Sequence, residues 1–429
     1  MGKVVASTIL SLAILLVVAA AALQIPAVQN FAVQRVVRVV SDKLQTTVAV
    51  DRIAIVFPGK VRVRGFYVED YQRDTLLYAG RVDAFVTRAG GKGVRLSYGE
   101  LDDVKLFLRE TPEGEMNIKQ VVSRLSNPDK KNKKPFRLTI ATASIGNMEL
   151  CLERQHHRNP PYGIDFGHMH LSDIAAEIER FELNGPVIET DIRAFGGRER
   201  SGFVLKRLSG LFRLDNGSLD FTDAKLETDE SRIALPRISL RGDSWADYKD
   251  FVHRVQIEGT LRHSMLATDD VAYFSPGLYG KSLTLKDVDL DFSGTVADFD
   301  AEIRSLRMGQ CTYLAADVSA QGLPDFKQTH FDAHVSRLST VSADVQELVG
   351  AFARNPLSPK LVELLHNAGT VNLVARFEGT PSLFRTNVGA ATDVGGMNLG
   401  LALQPLERGR RCIDGNAATR NLRLGQLLG

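Results

Sequence analysis

Cysteine is too scarce in this chain to organise it. Cys151, Cys311 and Cys412 are odd in number and far apart, which excludes both a disulfide framework and a paired metal-ligand spacing. Each lies in or beside an apolar-patterned stretch and is expected to be a buried small hydrophobe. In an oxidising compartment at least one thiol stays unpaired, and burial would protect it. Aromatic residues are thin as well, at 7% with Trp245 the single tryptophan, and give little bulk for a wide core. Neither sign of charge dominates. The 53 Lys and Arg against 51 Asp and Glu leave +2, which argues against wholesale binding of nucleic acid.

Catalytic motifs are also missing. There is no G-x-S-x-G elbow and no H-E-x-x-H helix. Gly90-Gly91-Lys92-Gly93 lacks the spacing of a phosphate loop. Asp287, Asp289 and Asp291 superficially suggest a calcium loop, but Gly294 comes too late for its turn and no Glu closes it. They read as the wet face of a strand. His156-His157 and His168-Met169-His170 are the densest use of histidine. His168 and His170 share a strand face and such imidazoles can hold zinc or copper, yet no carboxylate or cysteine stands at a matching spacing. Surface histidines are therefore expected, with no metal, no cofactor and no enzymatic activity.

What is present is one long apolar run and a great deal of alternation. Val4 to Leu23 carries no charge over twenty residues, enough at ~1.5 Å per residue to cross a ~30 Å hydrocarbon layer as a helix. Ala20-Ala21-Ala22 offers a signal-peptide cleavage pattern as the alternative, but the run exceeds the usual h-region and helical amphipathicity continues beyond it. Lys3 and the amino terminus favour staying inside, which sends the remainder outward. Residues 1–25 thus read as a membrane anchor and 26–45 as a basic amphipathic helix. The latter either lies on lipid or plugs the end of a sheet.

Strand patterns begin at Thr47 and recur at 8–12 residue spacing. Val61 and Val63, Val104, Leu106 and Leu108, and Leu138 and Ile140 alternate with polar neighbours. Asp215-Asn216-Gly217 is a typical break, and such breaks favour antiparallel meanders. Asn117 to Leu125 reads as a short helix, as does 343–365 with an interruption at Asn355-Pro356. The Lys-rich, Pro-bounded segment 127–135 is the best boundary, separating a β unit at 46–126 from a repetitive β region at 136–429. The cleanest strands put Val288, Leu290 and Phe292 on one face, and Val371, Leu373, Ala375 and Phe377 on another. Period-2 patterning of this kind leaves one apolar face per strand. A second sheet can bury that face, or a long curved sheet can turn it into a groove.

The run from Asp42 to Val86, with Gly65 before Phe-x-Val-x-Asp and with Asp74-Thr75-Leu76-Leu77, resembles the start of an AsmA-like protein. The similarity is closest to the translocation and assembly module TamB type of Bacteroidetes. Gly114 to Ile118 resembles that family's step into a short helix, and Gly322 to Leu348 resembles one of its repeated elements. Members are usually longer and end in a distinctive C-terminal domain, whereas Asn421 to Gly429 looks like mid-repeat sequence. An amino-terminal portion is the expectation. The resemblance implies a mainly β protein: an elongated, curved antiparallel sheet, shaped like a taco, that projects from the cell inner membrane into the periplasm. It implies phospholipids as cargo, support of outer-membrane biogenesis, and an Omp85-type barrel assembly protein as a further partner. Val104, Leu106, Leu108, Val288, Leu290, Phe292, Val371, Leu373 and Phe377 would then face acyl chains. The rival expectation is a scaffold for outer-membrane barrel assembly, in which sheet edges pair with client strands.

Overall fold

A computed structural model describes residues 41–428 apart from 43, 57–58, 91–92, 120, 122–136, 156–159, 354 and 406–410. The expected anchor, most of the amphipathic helix, the Lys-rich segment and His156-His157 lie outside the described residues. No helix among those described is long and apolar enough to cross a membrane. The chain divides into two compact units, one running to Asp229 and taking in Asp243–Trp245, the other comprising Glu230–Gly242 and Ala246–Gly429.

The protein is mainly β. The first unit holds β1 (Val48–Val56), β2 (Lys60–Glu69), β3 (Thr75–Gly90), β4 (Gly93–Arg109), β5 (Arg137–Glu153), β6 (His168–Asn184), β7 (Val187–Glu199), β8 (Val204–Asp215) and β9 (Ser218–Glu227). Each strand pairs with its successor. One pairing departs from the antiparallel expectation. β4 and β5 run parallel, with Val104 opposite Met148 and Leu106 opposite Leu150. Parallel neighbours need a crossover of a dozen residues or more, and the stretch from 110 to 136 supplies it. The strands on either side of the Lys-rich segment are thus ladder neighbours within one unit.

The second unit holds β10 (Arg232–Arg241), β11 (Gln256–Ala267), β12 (Thr284–Gly294), β13 (Asp298–Met308), β14 (Thr312–Gln321), β15 (His330–Thr340), β16 (Val371–Thr380), β17 (Leu383–Thr392), β18 (Gly395–Pro405) and β19 (Arg411–Arg420). All are antiparallel to their successors. The helices Ser342–Phe352 and Pro359–Ala368 stand between β15 and β16, on either side of Asn355-Pro356.

Alternation is less strict than the sequence suggests, and six of the exceptions share one cause, whereas the steps Ile192 to Phe195, Ile303 to Leu306 and Val335 to Leu338 are register shifts with no left-handed residue inside them. The six are the steps by three in the apolar series at Val63 to Phe66, Leu101 to Val104, Ile145 to Met148, Leu171 to Ile174, Phe221 to Ala224 and Leu285 to Val288. Inside each step sits a residue with left-handed backbone, respectively Gly65, Asp103, Asn147, Asp173, Asp223 and Asp287, at φ between +49° and +60°. Gly, Asn and Asp tolerate that region best, and an extra residue there restores the next apolar residue to its original face while bending the strand. Without it the second half of each strand would present its apolar side to the wrong face.

In the first unit that face is closed locally into a core. Leu44, Val48, Val63, Phe66, Val68, Leu77, Val82, Val104 and Leu106 are buried together with Ile118 and Val121. Asn117, wholly buried, ties the crossover down. Its Nδ2 donates to Asp70 Oδ2 at 3.0 Å and to the Phe107 carbonyl at 3.1 Å, and its Oδ1 accepts from the N–H of Arg109 and Ile118. Asn117→Ala strands those partners in a dry site and is expected to cost about 2–4 kcal/mol, read as a lowered urea midpoint. An unchanged midpoint would show that water replaces the amide.

Candidate functional site

The second unit carries its apolar residues across the sheet in rungs. One runs unbroken through Leu261, Leu290, Ile303, Ala316 and Val335, then Ala375, Val388, Leu399 and Ala417, each directly opposite the next. The neighbouring rung passes through Phe292, Ala301, Val318, Ala333, Phe377, Thr386 and Leu401, with Thr386 its single hydroxyl. Most of these side chains are half-buried, unlike the closed cluster of the first unit. Small residues interrupt the large ones along the rungs, at Ala316, Ala375 and Ala417 in the first and at Ala301 and Ala333 in the second. The Phe292 ring lies over Gly259, where a Cβ would come within 2.2 Å of it, and rings stack at 5.2 Å between Phe377 and Phe384. An aromatic face laid over a glycine fills the gap that the missing side chain would leave, and so levels the apolar surface.

The expected lipid-facing residues fall into two groups. Leu290, Phe292, Val371, Leu373 and Phe377 lie half-buried on this face. Val288 points the same way but is buried at 1% exposure. Val104 and Leu106 belong to the closed core of the first unit, with Leu108 packed against it, because the segment around Ile118 and Val121 covers that end. An acyl chain reaches Val104 only if that core opens.

The opposite face is wet. Arg262 donates to Asp289 and Asp291 at 2.9 Å, Arg304 pairs with the same two carboxylates, and Arg307 pairs with Asp287 at 3.3 Å. His263 Nδ1 lies 2.9 Å from Asp287 Oδ1, and that hydrogen bond holds the His263 pKa up and the Asp287 pKa down. The three aspartates thus bond to cations of the neighbouring strands.

His168 and His170 do share a face of β6, in two separate carboxylate pairs. His168 Nδ1 stands 2.9 Å from Asp165 Oδ2, and His170 Nε2 stands 2.7 Å from Glu149 Oε1. Cys151 faces His170 directly across the β5–β6 ladder. Burial foremost, then the carboxylates of Glu149 and Glu153, pushes the Cys151 thiol up, which disfavours a nucleophilic thiolate. Cys151 is half-buried, short of the burial expected of all three cysteines, and the other two are open to solvent. Cys311 is exposed at the β13–β14 turn and Cys412 is exposed in β19. Neither the long rungs nor the Glu149–Cys151–His170 group is visible to spacing along the chain, because both are built across ladders. The period-two apolar series of the individual strands, as at Val371, Leu373, Ala375 and Phe377, is the sequence signal that points to the rungs. No family model, curated protein or solved structure matches this chain.

Proposed function

We propose that this chain is a membrane-anchored periplasmic conduit that shields phospholipid acyl chains between inner and outer membrane, with no covalent chemistry. The observation that carries the reading is the uninterrupted apolar rung across β11–β19. Each CH₂ kept from water is worth ~0.8 kcal/mol. A surface of Val, Leu, Ile, Ala and Phe offers nearly the same contact at every strand, so a chain slides without a deep trap. Nine strands at ~4.8 Å give a rung on the order of 40 Å, longer than the ~15 Å of hydrocarbon in one leaflet. The AsmA-like resemblance of Asp42 to Val86 and the charge-free run Val4 to Leu23 support the anchor and the compartment.

The test is in-cell photocrosslinking on one strand. A diazirine side chain at Leu373 is expected to capture phospholipid, and one at Val374, apolar but 53% exposed on the opposite face, is expected not to. Equal capture at both, or none at Leu373, removes the reading. A scaffold for outer-membrane barrel proteins is the second reading, in which the backbone of a strand such as β19, whose register with β18 runs without a bulge, pairs with client strands. It predicts crosslinks from β19 to barrel proteins that persist when the apolar face is charged.

A further inference from the structure

We propose that Glu149, Cys151 and His170 bind one zinc ion on the polar face of β5 and β6. The three side chains come from two adjacent strands of a bonded ladder. Cys151 and His170 are direct cross-strand partners, and Glu149 precedes Cys151 by one pleat on the same side. Their donor atoms all lie within 4.8 Å of one another, with His170 Nε2 already 2.7 Å from Glu149 Oε1. Metal contacts of ~2.0–2.3 Å place tetrahedral donors roughly 3.3–3.8 Å apart, so side-chain rotations suffice and the backbone stays in register.

The donor chemistry selects the ion. A thiolate, an imidazole and a carboxylate together suit zinc, and the first and last balance its two charges. Lys105 Nζ stands 4.0 Å from Glu149 Oε2, the oxygen turned away from His170, which leaves Oε1 as the donor. The His170 backbone N–H donates to Glu199 Oε1 at 3.2 Å and holds that end of β6 in place. A cleft of about 500 Å³, lined in part by Cys151, His168, His170, Arg109 and Arg200, opens Cys151 and His170 to solvent. Three protein donors leave the fourth position to water.

The experiment uses the intact chain in detergent, carrying Cys311→Ser and Cys412→Ser to remove the two exposed thiols. Zinc is titrated against a chromophoric chelator, and cobalt is then substituted. One equivalent is expected, with a thiolate-to-cobalt charge-transfer band in the near ultraviolet. Cys151→Ser should abolish that band. His170→Ala should weaken binding by more than the ~10–100-fold that losing an outer-shell partner costs. Circular dichroism of each variant confirms that the sheet persists, and Glu149→Gln supplies a further ligand variant of unchanged shape. Absence of stoichiometric binding by the folded chain overturns the proposal. So does binding that survives both Cys151→Ser and His170→Ala, which would locate the metal on other histidines.

Discussion

Asp344→Ala is expected to destabilise the intact chain by about 3–5 kcal/mol, the largest loss foreseen for any single side chain here. Asp344 sits in the first turn of the helix Ser342–Phe352 at 1% exposure, and its carboxylate gathers the whole β13–β14 turn. Oδ1 accepts from the Gln310 N–H at 2.9 Å, and Oδ2 accepts from the N–H of Cys311 and Thr312 and from the Thr312 hydroxyl. The turn has adapted to this grip. Gly309 takes φ +58°, and a Cβ there would stand 2.4 Å from Asp344 Oδ1. Removing the carboxylate leaves three backbone donors facing a dry hole. Asn is no rescue, because its amide would point N–H at N–H.

The same residue fixes a pH dependence. Burial pushes the Asp344 carboxyl up, but hydrogen bonds from Gln310, Cys311 and Thr312 outweigh it and hold the pKa below the ordinary carboxylate value. A depressed folded-state pKa contributes stability that is complete above the unfolded value of ~3.9 and is lost as pH falls through the folded one. Urea midpoints of wild type and Asp344→Ala should therefore differ widely at pH 7 and converge in acid. A gap of constant size down to pH 2 would mean that Asp344 acts through packing alone.

A charge in the middle of the long rung is expected to empty the apolar face of lipid. Val335 pairs with Ala316 on one side and Ala375 on the other, so a carboxylate there has no cation within its own rung. An acyl chain passing Val335→Glu must desolvate an unpaired charge, a penalty of ~3 kcal/mol or about a hundredfold in occupancy. Val335→Lys is expected to do the same, which separates desolvation from simple repulsion of an anionic head group. Val374→Glu, on the opposite face of β16, should leave lipid content unchanged. The readout is phospholipid per chain in purified protein, by mass spectrometry. Undiminished lipid in Val335→Glu would refute the conduit, and a lysine variant that loads normally would place the effect at the head group instead.

Much of this architecture was legible along the chain. Val371, Leu373, Ala375 and Phe377 alternate without a break, and β16 follows them residue for residue. The helices flanking Asn355-Pro356 and the break at Asn216-Gly217 stand where proline and glycine put them. The wet face of β12 was equally readable, since three aspartates at period two cannot share a dry surface. Less visible was the bulge. Leu285 and Val288 look out of phase until Asp287 is seen in the left-handed region, where the extra residue turns Val288 back to its side.

Patterning along the chain was enough to make this a protein of strands with one apolar side, because period two is a local property of the pleat. Which apolar sides are closed and which stay half-covered was a matter for the fold. Val104 and Leu290 sit in similar alternating stretches, yet Val104 is buried in one core with Ile118 while Leu290 stays half-covered in a rung. The parallel pairing of β4 with β5 and the meeting of Glu149 with His170 belong to the same class. Both depend on where the chain returns to its ladder, and that is settled by long-range register, which no local spacing encodes.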